Sequence, residues 1–91
     1  MIIKNSFKLS IIIPCYNENN TIETIIAKIL KSLENYQFTN HELIIVDDFS
    51  IDGTREKLKK FESYKNMKIV FHDYNQGKGA AIQTAIKSIS G

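Results

Sequence analysis

The chain has 91 residues, which is enough for one small domain but not for two. Its composition, 43% hydrophobic and 24% charged, is typical of a globular protein. Twelve basic and ten acidic residues are spread along the chain and give a net charge of +2, which argues against nucleic acid or an acidic membrane as the partner.

Three apolar runs predict β-strands, and they alternate with three helical patterns. The predicted strands are LSIII (9–13), ELIIV (42–46) and MKIVF (67–71). The predicted helices are TIETIIAKILKSLENY (21–36), TREKLKKFESY (54–64) and GAAIQTAIKSIS (79–90). The first two strands are almost continuously apolar, as in parallel strands that are covered on both faces. The alternation therefore predicts an α/β fold with two right-handed crossovers and a parallel sheet.

Each helical pattern has an apolar stripe that we expect to face the sheet. The residues of the three stripes are, in order, Ile22, Ile25, Ile26, Ile29, Leu30 and Leu33; Leu58, Phe61 and Tyr64; and Ala81, Ile82, Ala85, Ile86 and Ile89. Three strands are few for such a sheet, so an open edge is expected. That edge predicts self-association or a larger domain around this chain.

Polar loops follow all three predicted strands, at residues 14–18, 47–54 and 72–79. The carboxyl ends of parallel strands meet at one rim, where open α/β sheets bind their ligands. We therefore predict a single cleft that brings together an aromatic ring, an acidic pair and a lysine.

The first loop, Pro14-Cys15-Tyr16-Asn17-Glu18, has a structural and a functional interpretation. Pro14 can end a strand, Tyr16 can be an exposed rim aromatic, and Glu18 can favour the start of a helix. Alternatively, the Tyr16 ring can stack on a nucleobase.

Asp47 and Asp48 are adjacent carboxylates at the end of a buried strand, where both are costly to dehydrate without partners. We expect one to accept backbone N–H groups from the following turn and the other to face a ligand. Either Ser50 or Asp52 is expected to cap the second helix.

The third loop contains Gln76-Gly77-Lys78-Gly79 directly before a helix. Its glycines free the backbone at a helix N-terminus, where N–H groups favour an anion, and Lys78 adds a cation. The spacing matches neither a P-loop nor the GxGxxG fingerprint, so a plain loop with a surface lysine remains the alternative.

Cysteine and histidine usage excludes several other kinds of site. Cys15 is the only cysteine, so an internal disulfide and a thiolate metal cluster are ruled out and a reducing compartment is expected. Cys15 also has no evident base to make it a nucleophile. His41 and His72 lack ligand spacing and are expected to be surface or hydrogen-bonded residues. With no signal peptide and no long apolar stretch, we expect a cytoplasmic chain.

Three motifs in order, LSIIIPCYNE, ELIIVDDFSIDGT and NQGKGAAIQTAI, resemble the N-terminal part of family 2 glycosyltransferases, in particular the dolichol-phosphate-mannose-synthase-like and polyprenyl-phosphate members. The resemblance covers residues 9 to about 90. It implies a GT-A fold, with a Rossmann-like three-layer βαβαβα arrangement that binds a nucleotide sugar. The residues that it assigns to the nucleotide are Pro14, Tyr16, Glu18, Asp47, Asp48, Gly77, Lys78 and Gly79. Among these, Asp48 would bond the base, with Asp47 as support.

The resemblance also implies parts that these 91 residues lack. The family holds a divalent metal, Mg²⁺ or Mn²⁺, with an Asp-x-Asp motif on the next strand, and its catalytic base and acceptor site come later. We therefore expect residues 1–91 to be a single partial domain without transferase activity of its own. The implied donor is UDP- or GDP-linked, and the implied acceptor is a polyprenyl or dolichyl phosphate at the cytoplasmic face of a membrane. Phe49 stands where the family often has glycine.

Two alternatives come from other classes of protein. A small non-catalytic α/β module that binds a nucleotide or a partner chain would share the same cleft. A receiver-like domain is disfavoured because its paired acids usually follow the first strand, whereas Asp47 and Asp48 follow the second.

Overall fold

The structure, a computed structural model, describes residues 2–4, 8–35 and 40–89. In chain order its elements are β1 (Ile2–Lys4), β2 (Leu9–Cys15), α1 (Ile22–Asn35), β3 (His41–Asp47), α2 (Thr54–Lys59), β4 (Met67–Phe71) and α3 (Lys78–Lys87). They form one sheet in the order β1-β2-β3-β4. Strands β2, β3 and β4 are parallel, and β1 pairs antiparallel with β2.

Helices cover both faces of the sheet because the strand side chains alternate between the two sides. On one face, α1 and α2 pack on a cluster that includes Ile26, Leu43 and Leu58. On the other face, Ala81 and Ala85 of α3 pack on a cluster from the neighbouring strand positions, among them Ile44. The small alanines let α3 approach β2 and β3 closely. This places the N-terminus of α3 beside the carboxyl ends of those strands.

The predicted fold class is confirmed: three parallel strands alternate with helices in three layers. The sequence did not indicate β1, a strand of three residues. None of the helices within residues 2–4, 8–35 and 40–89 is long and apolar enough to cross a bilayer.

The helix lengths differ from the prediction at their C-terminal ends. Helix α2 ends at Lys59, five residues early, because the following amides bond three residues back, as in Phe61 N–H to Leu58 C=O at 2.9 Å. Helix α3 ends at Lys87, and the predicted helical residues 36 and 90 lie outside the described residues. The inward positions of Tyr64 and Ile86 were wrong, since these side chains are 49% and 44% exposed.

Candidate functional site

A cavity of about 330 Å³ lies where β2 and β3 end and α3 begins. Its lining residues are Pro14, Cys15, Tyr16, Glu18, Asp48, Asn75, Gly77, Lys78 and Ala81. The structure therefore brings six of the eight predicted site residues into one cavity. Asp47 and Gly79 do not line it.

Asp48 holds the wall of the cavity in place. Its Oδ1 accepts the Gln76 N–H and its Oδ2 the Gly77 N–H, both at 2.8 Å, although these residues lie almost thirty positions further along the chain. The Asp48 backbone N–H in turn donates to the Cys15 carbonyl at 2.8 Å, which ties the ends of β2 and β3 together. The carboxylate thus fixes the loop before α3 relative to the sheet.

His72 is the third partner of the Asp48 carboxylate. Its Nδ1 lies 2.9 Å from Asp48 Oδ1, and its Nε2 lies 2.8 Å from Thr84 Oγ1 on α3. The side chain is buried. Because the Asp48 carboxylate can only accept, Nδ1 is the donor in this contact. The expectation that His72 is a hydrogen-bonded residue is met, but its link to the cavity depends on pairing that the sequence does not reveal.

The pKa of Asp48 reflects these contacts. Burial alone would raise the pKa, but the Gln76 N–H, the His72 ring and the Gly77 N–H all favour the ionised form, and the resulting pKa lies below its usual value. Asp48 is therefore an anion at neutral pH. The wall of the cavity that Asp48 lines therefore carries a negative charge.

Asp47 has a structural role instead. It is fully buried, and its carboxylate accepts from the Ser50 N–H at 3.0 Å and from the Ser50 hydroxyl. Arg55 Nε lies 3.3 Å from Asp47 Oδ2. Successive residues of a strand point to opposite faces, which explains why adjacent aspartates have separate partners.

Arg55 joins the ends of β3 and β4 to α2. Besides its ion pair with Asp47, it donates to the His72 carbonyl at 3.2 Å. Its guanidinium carbon lies 4.9 Å from the centre of the Phe71 ring and 5.6 Å from that of Phe49, both within cation–π range. This residue gave no signal in the sequence because it lies within the exposed-looking start of a helix.

The loops after β2 and β3 are bonded to each other. The Asn17 N–H donates to Ser50 Oγ at 2.8 Å, and Asn17 Oδ1 accepts the Ile51 N–H at 3.0 Å. The Asn19 N–H donates to Asp52 Oδ2 at 3.1 Å. These bonds fix the chain on both sides of Glu18 and leave the Tyr16 ring 46% exposed at the cavity.

The expectation that Ser50 or Asp52 caps α2 was wrong, because the N-cap is Gly53 and no side chain makes a cap hydrogen bond there. Asp52 Oδ1 does accept the N–H of Thr54, the first residue of α2, at 3.1 Å, and Ser50 Oγ accepts the Asn17 N–H. Glu18 starts α1: its carbonyl accepts the Ile22 N–H at 2.8 Å, and its carboxylate accepts the Thr21 hydroxyl at 2.7 Å. Glu18 nevertheless lines the cavity, so its structural role and a ligand contact are compatible.

The start of α3 carries the features of an anion site. Gly77 has a φ of +94°, a conformation that other residues rarely adopt, and its carbonyl accepts the Ala81 N–H at 3.1 Å. Lys78 is the first helical residue and is exposed at the cavity. The first turn of α3 contains no acidic residue of its own, and the anion beside its N-terminus is the Asp48 carboxylate, which accepts the Gly77 N–H.

Cys15 lines the cavity, but its thiol is unreactive at neutral pH. Burial, followed by the nearby charge of Asp47, Glu18 and Asp52, raises the pKa of the thiol to about 12. The thiol is therefore protonated at neutral pH and is a poor nucleophile.

The site does not have the ligands for a divalent metal. Within residues 2–4, 8–35 and 40–89, no three His, Cys, Asp or Glu side chains are grouped to hold one. The carboxylates of Asp47 and Asp48 are already bonded to protein donors. No chemical step through a metal follows from these residues.

The fold and the cavity define the class of protein: an α/β domain with a cavity at the carboxyl rim of a parallel sheet. The family model described as "Glycosyl transferase family 2" matches residues 10–91. The chain therefore belongs to glycosyl transferase family 2.

Relatives that are named for an activity support this assignment. The chain is 37% identical over 87 residues to the Escherichia coli UDP-Glc:alpha-D-GlcNAc-diphosphoundecaprenol beta-1,3-glucosyltransferase WfgD, covering 96% of this chain and 32% of that protein. It is 33% identical over 84 residues to the dolichol-phosphate mannosyltransferase of Pyrococcus furiosus, covering 92% and 23% of the two chains. The chain thus spans about a third or less of these relatives.

Solved structures show the same fold. The mannosyltransferase PcManGT from Pyrobaculum calidifontis, in complex with GDP-Man and Mn²⁺, superposes with a TM-score of 0.78 at 27% identity. The match covers 93% of this chain and 25% of that one. The predicted GT-A type of fold is confirmed.

Proposed function

We propose that this chain is the nucleotide-binding part of a glycosyltransferase that transfers a sugar from a nucleotide donor. The observation that carries the proposal is the convergence of Tyr16, Asp48 and Lys78 on one cavity at the carboxyl rim of the sheet. An aromatic ring, an acceptor and a cation are the three groups that a base, a ribose or base N–H, and a diphosphate require.

Each of these side chains has a distinct task in the proposed complex. The exposed Tyr16 ring stacks on the base, with Pro14 beside it on the wall. Asp48 accepts a hydrogen bond from the base, and Asp47 keeps the end of β3 in place through Ser50 and Arg55. The backbone around Gly77, together with Lys78 and the adjoining Gly79, faces the phosphates at the start of α3.

The donor and acceptor classes are proposed from the relatives. One relative is named for a UDP-Glc donor and a diphosphoundecaprenol acceptor, and another for dolichol phosphate. We accordingly propose a UDP- or GDP-linked sugar as donor and a lipid phosphate as acceptor. This acceptor would place the whole protein at the cytoplasmic face of a membrane.

Residues 1–91 are proposed to be one partial domain that binds the nucleotide but does not transfer the sugar. The part of the chain that the structure describes lacks a metal cluster. A divalent ion such as Mg²⁺ or Mn²⁺, the catalytic base and the acceptor pocket are therefore assigned to a part of the protein beyond this sequence.

A titration of the ¹⁵N-labelled chain with UDP and GDP, followed by NMR, tests the proposal. We expect amide shifts at Tyr16, Asp48 and Lys78, with none at Thr24 and Lys31 on the outer face of α1. Tyr16→Ala should weaken the binding without loss of fold. Unchanged spectra with both nucleotides would refute the nucleotide site.

Two further measurements test the partial-domain proposal. Sugar transfer by the 91-residue chain, given a nucleotide sugar, Mn²⁺ and a polyprenyl phosphate, would contradict it. If the adjoining coding sequence contained no strand followed by Asp-x-Asp, a non-catalytic nucleotide-binding module would become the better interpretation.

The outer side of β4 is the proposed contact for a second copy of the chain. No strand within residues 2–4, 8–35 and 40–89 pairs with that side. An open edge can pair with another strand. Sedimentation at several concentrations should show self-association, and a concentration-independent monomer would refute it.

A further inference from the structure

The base that the site selects follows from the hydrogen bonds that Asp48 already makes. We propose that His72 makes the site selective for uracil over guanine, because it occupies an acceptor position that guanine would need. This inference rests on the proposed nucleotide function and goes beyond it, since that function leaves UDP and GDP open.

The Asp48 carboxylate has about four acceptor positions, two on each oxygen. His72 Nδ1 at 2.9 Å and the Gln76 N–H at 2.8 Å both lie on Oδ1. The Gly77 N–H at 2.8 Å takes one position on Oδ2. Three positions are therefore used by the described part of the chain. One position, on Oδ2, remains for a ligand in the cavity that Asp48 lines.

The three occupied positions are not easily released. Two belong to backbone N–H groups whose loop leads into α3. The third belongs to a histidine that is 6% exposed and is held at its other nitrogen by Thr84, at 2.8 Å. Displacing His72 would leave a buried donor without a partner, which is costly, and displacing the two N–H groups would break two part-buried bonds that hold the loop before α3. The number of acceptor positions open to the base is thus fixed by the fold.

Guanine and uracil differ in the donors that they direct at a carboxylate. Guanine presents two adjacent donors, N1–H and the N2 amino group, which pair with one position on each of the two oxygens. With Oδ1 filled, one guanine donor would be left without its partner. Uracil presents a single donor, N3–H, between two carbonyls. The Asn75 side-chain amide lines the cavity and donates one N–H to the Asp48 backbone carbonyl at 3.4 Å, so its second N–H is available for one of those carbonyls.

Calorimetric or NMR titration of the 91-residue chain with UDP and GDP tests this selectivity. We expect UDP to bind on the order of tenfold to a hundredfold more tightly, the range set by one unsatisfied buried donor. A matched pair of ligands isolates the hydrogen bond. 3-Methyl-UDP, which lacks N3–H, should lose most of the affinity, whereas 5-methyl-UDP should keep it.

Variants of the histidine and its partner test the role of His72 itself. His72→Leu removes the donor at similar volume and opens a second acceptor position, on Oδ1, so the ratio of UDP to GDP affinity should fall toward one. Thr84→Val removes the other partner of the ring but leaves the Asp48 contact, and it should preserve the preference. If His72→Leu does not fold, the wild-type titrations with the methylated ligands still decide whether the site recognises uracil through its N3–H.

The outcomes separate this inference from the proposed function. Equal or tighter binding of GDP, or equal binding of the two methylated ligands, would overturn the selectivity while leaving the nucleotide site intact. Absence of binding by every nucleotide would overturn the proposed function and this inference together.

Discussion

Gly53 lies directly beneath the side chain of Asn19: a β-carbon on Gly53 would stand 2.9 Å from Asn19 Oδ1. Gly53 also has a φ of +100°, which side-chain-bearing residues rarely adopt. The loops after β2 and β3 meet at this point, and their contact holds the backbone that leads from Tyr16 into α1. The conformation of the loop after β2 therefore depends on the glycine at position 53 in the loop after β3.

Gly53→Ala should destabilise the fold because it combines a close contact with left-handed backbone. We expect a loss of about 1–3 kcal/mol in the free energy of unfolding. Gly79→Ala is the matched control, since Gly79 lies in α3 and a β-carbon added to it would have no atom within 4 Å. It should gain about 0.5–1 kcal/mol from helix propensity. Urea denaturation followed by circular dichroism measures both, and equal effects would contradict the prediction.

Lys78→Glu should raise the stability of the fold and lower its affinity for a nucleoside diphosphate. Lys78 opposes the helix dipole at the first residue of α3, so an acidic side chain there should stabilise the fold by about 0.3–1 kcal/mol. The same change should weaken binding of a nucleoside diphosphate more than that of the nucleoside, because the lost cation faces the phosphates. Titration with UDP and with uridine measures the difference.

Lys59→Glu is the control for this experiment. Lys59 is exposed in the last turn of α2, where a cation is favourable, and it does not line the cavity. The reversal there should lower stability and leave nucleotide affinity unchanged. If both variants changed affinity equally, the effect of Lys78 would be one of net charge rather than of position.

Asp48 should make stability depend on pH in the acid range. Its pKa is lower in the folded chain than in the unfolded one, so its contribution is complete above an unfolded pKa of about 3.9 and is lost as pH falls through the folded value. Asp48→Asn should cost about 1.5–3 kcal/mol at pH 7, as expected for hydrogen bonds to a charged group. The difference between wild type and variant should shrink below about pH 4. Unfolding curves that stay equally separated from pH 7 to pH 3 would contradict this assignment.

The three parallel strands and the rim could be predicted because burial leaves a local signal. A strand covered on both faces needs a continuous apolar run, as in Leu43–Val46, and topology then places the polar loops together. Strand β1 left no such signal, because three residues paired along a single edge carry no periodicity. The exposed Ile86 likewise shows that a helical stripe overestimates what a short helix buries.

The separate roles of Asp47 and Asp48 could not be predicted from the sequence. Both are acids at the end of one strand, and only the fold shows that Asp48 meets His72 and Gly77 while Asp47 meets Arg55. These partners lie between eight and twenty-nine residues away, and their pairing depends on how α2 and α3 pack.

The backbone conformation of Phe49 could not be predicted from the sequence either. It has a φ of +63°, a left-handed conformation that glycine adopts without the steric cost that the Phe49 side chain brings. The Arg55 guanidinium above the ring, 5.6 Å from its centre, offsets part of that cost.

Cys15 offers a direct readout of whether the cavity is formed and occupied. The Cys15 side chain is buried and its pKa is raised to about 12, so at pH 8 we expect a disulfide reagent to modify the thiol mainly through unfolding. Saturating UDP should slow the labelling further, by a factor of about one plus the ratio of ligand to dissociation constant, because it binds the folded chain alone.

Two controls define the Cys15 experiment. Uridine at the same concentration should protect less than UDP, since it lacks the phosphates that Lys78 would contact. Labelling in denaturant should proceed at one rate with or without nucleotide, as expected for an unfolded thiol. Rapid labelling of the native chain would show that the ends of β2 and β3 do not cover the thiol. The hydrogen bond from the Asp48 N–H to the Cys15 carbonyl would then not keep these strand ends together in solution.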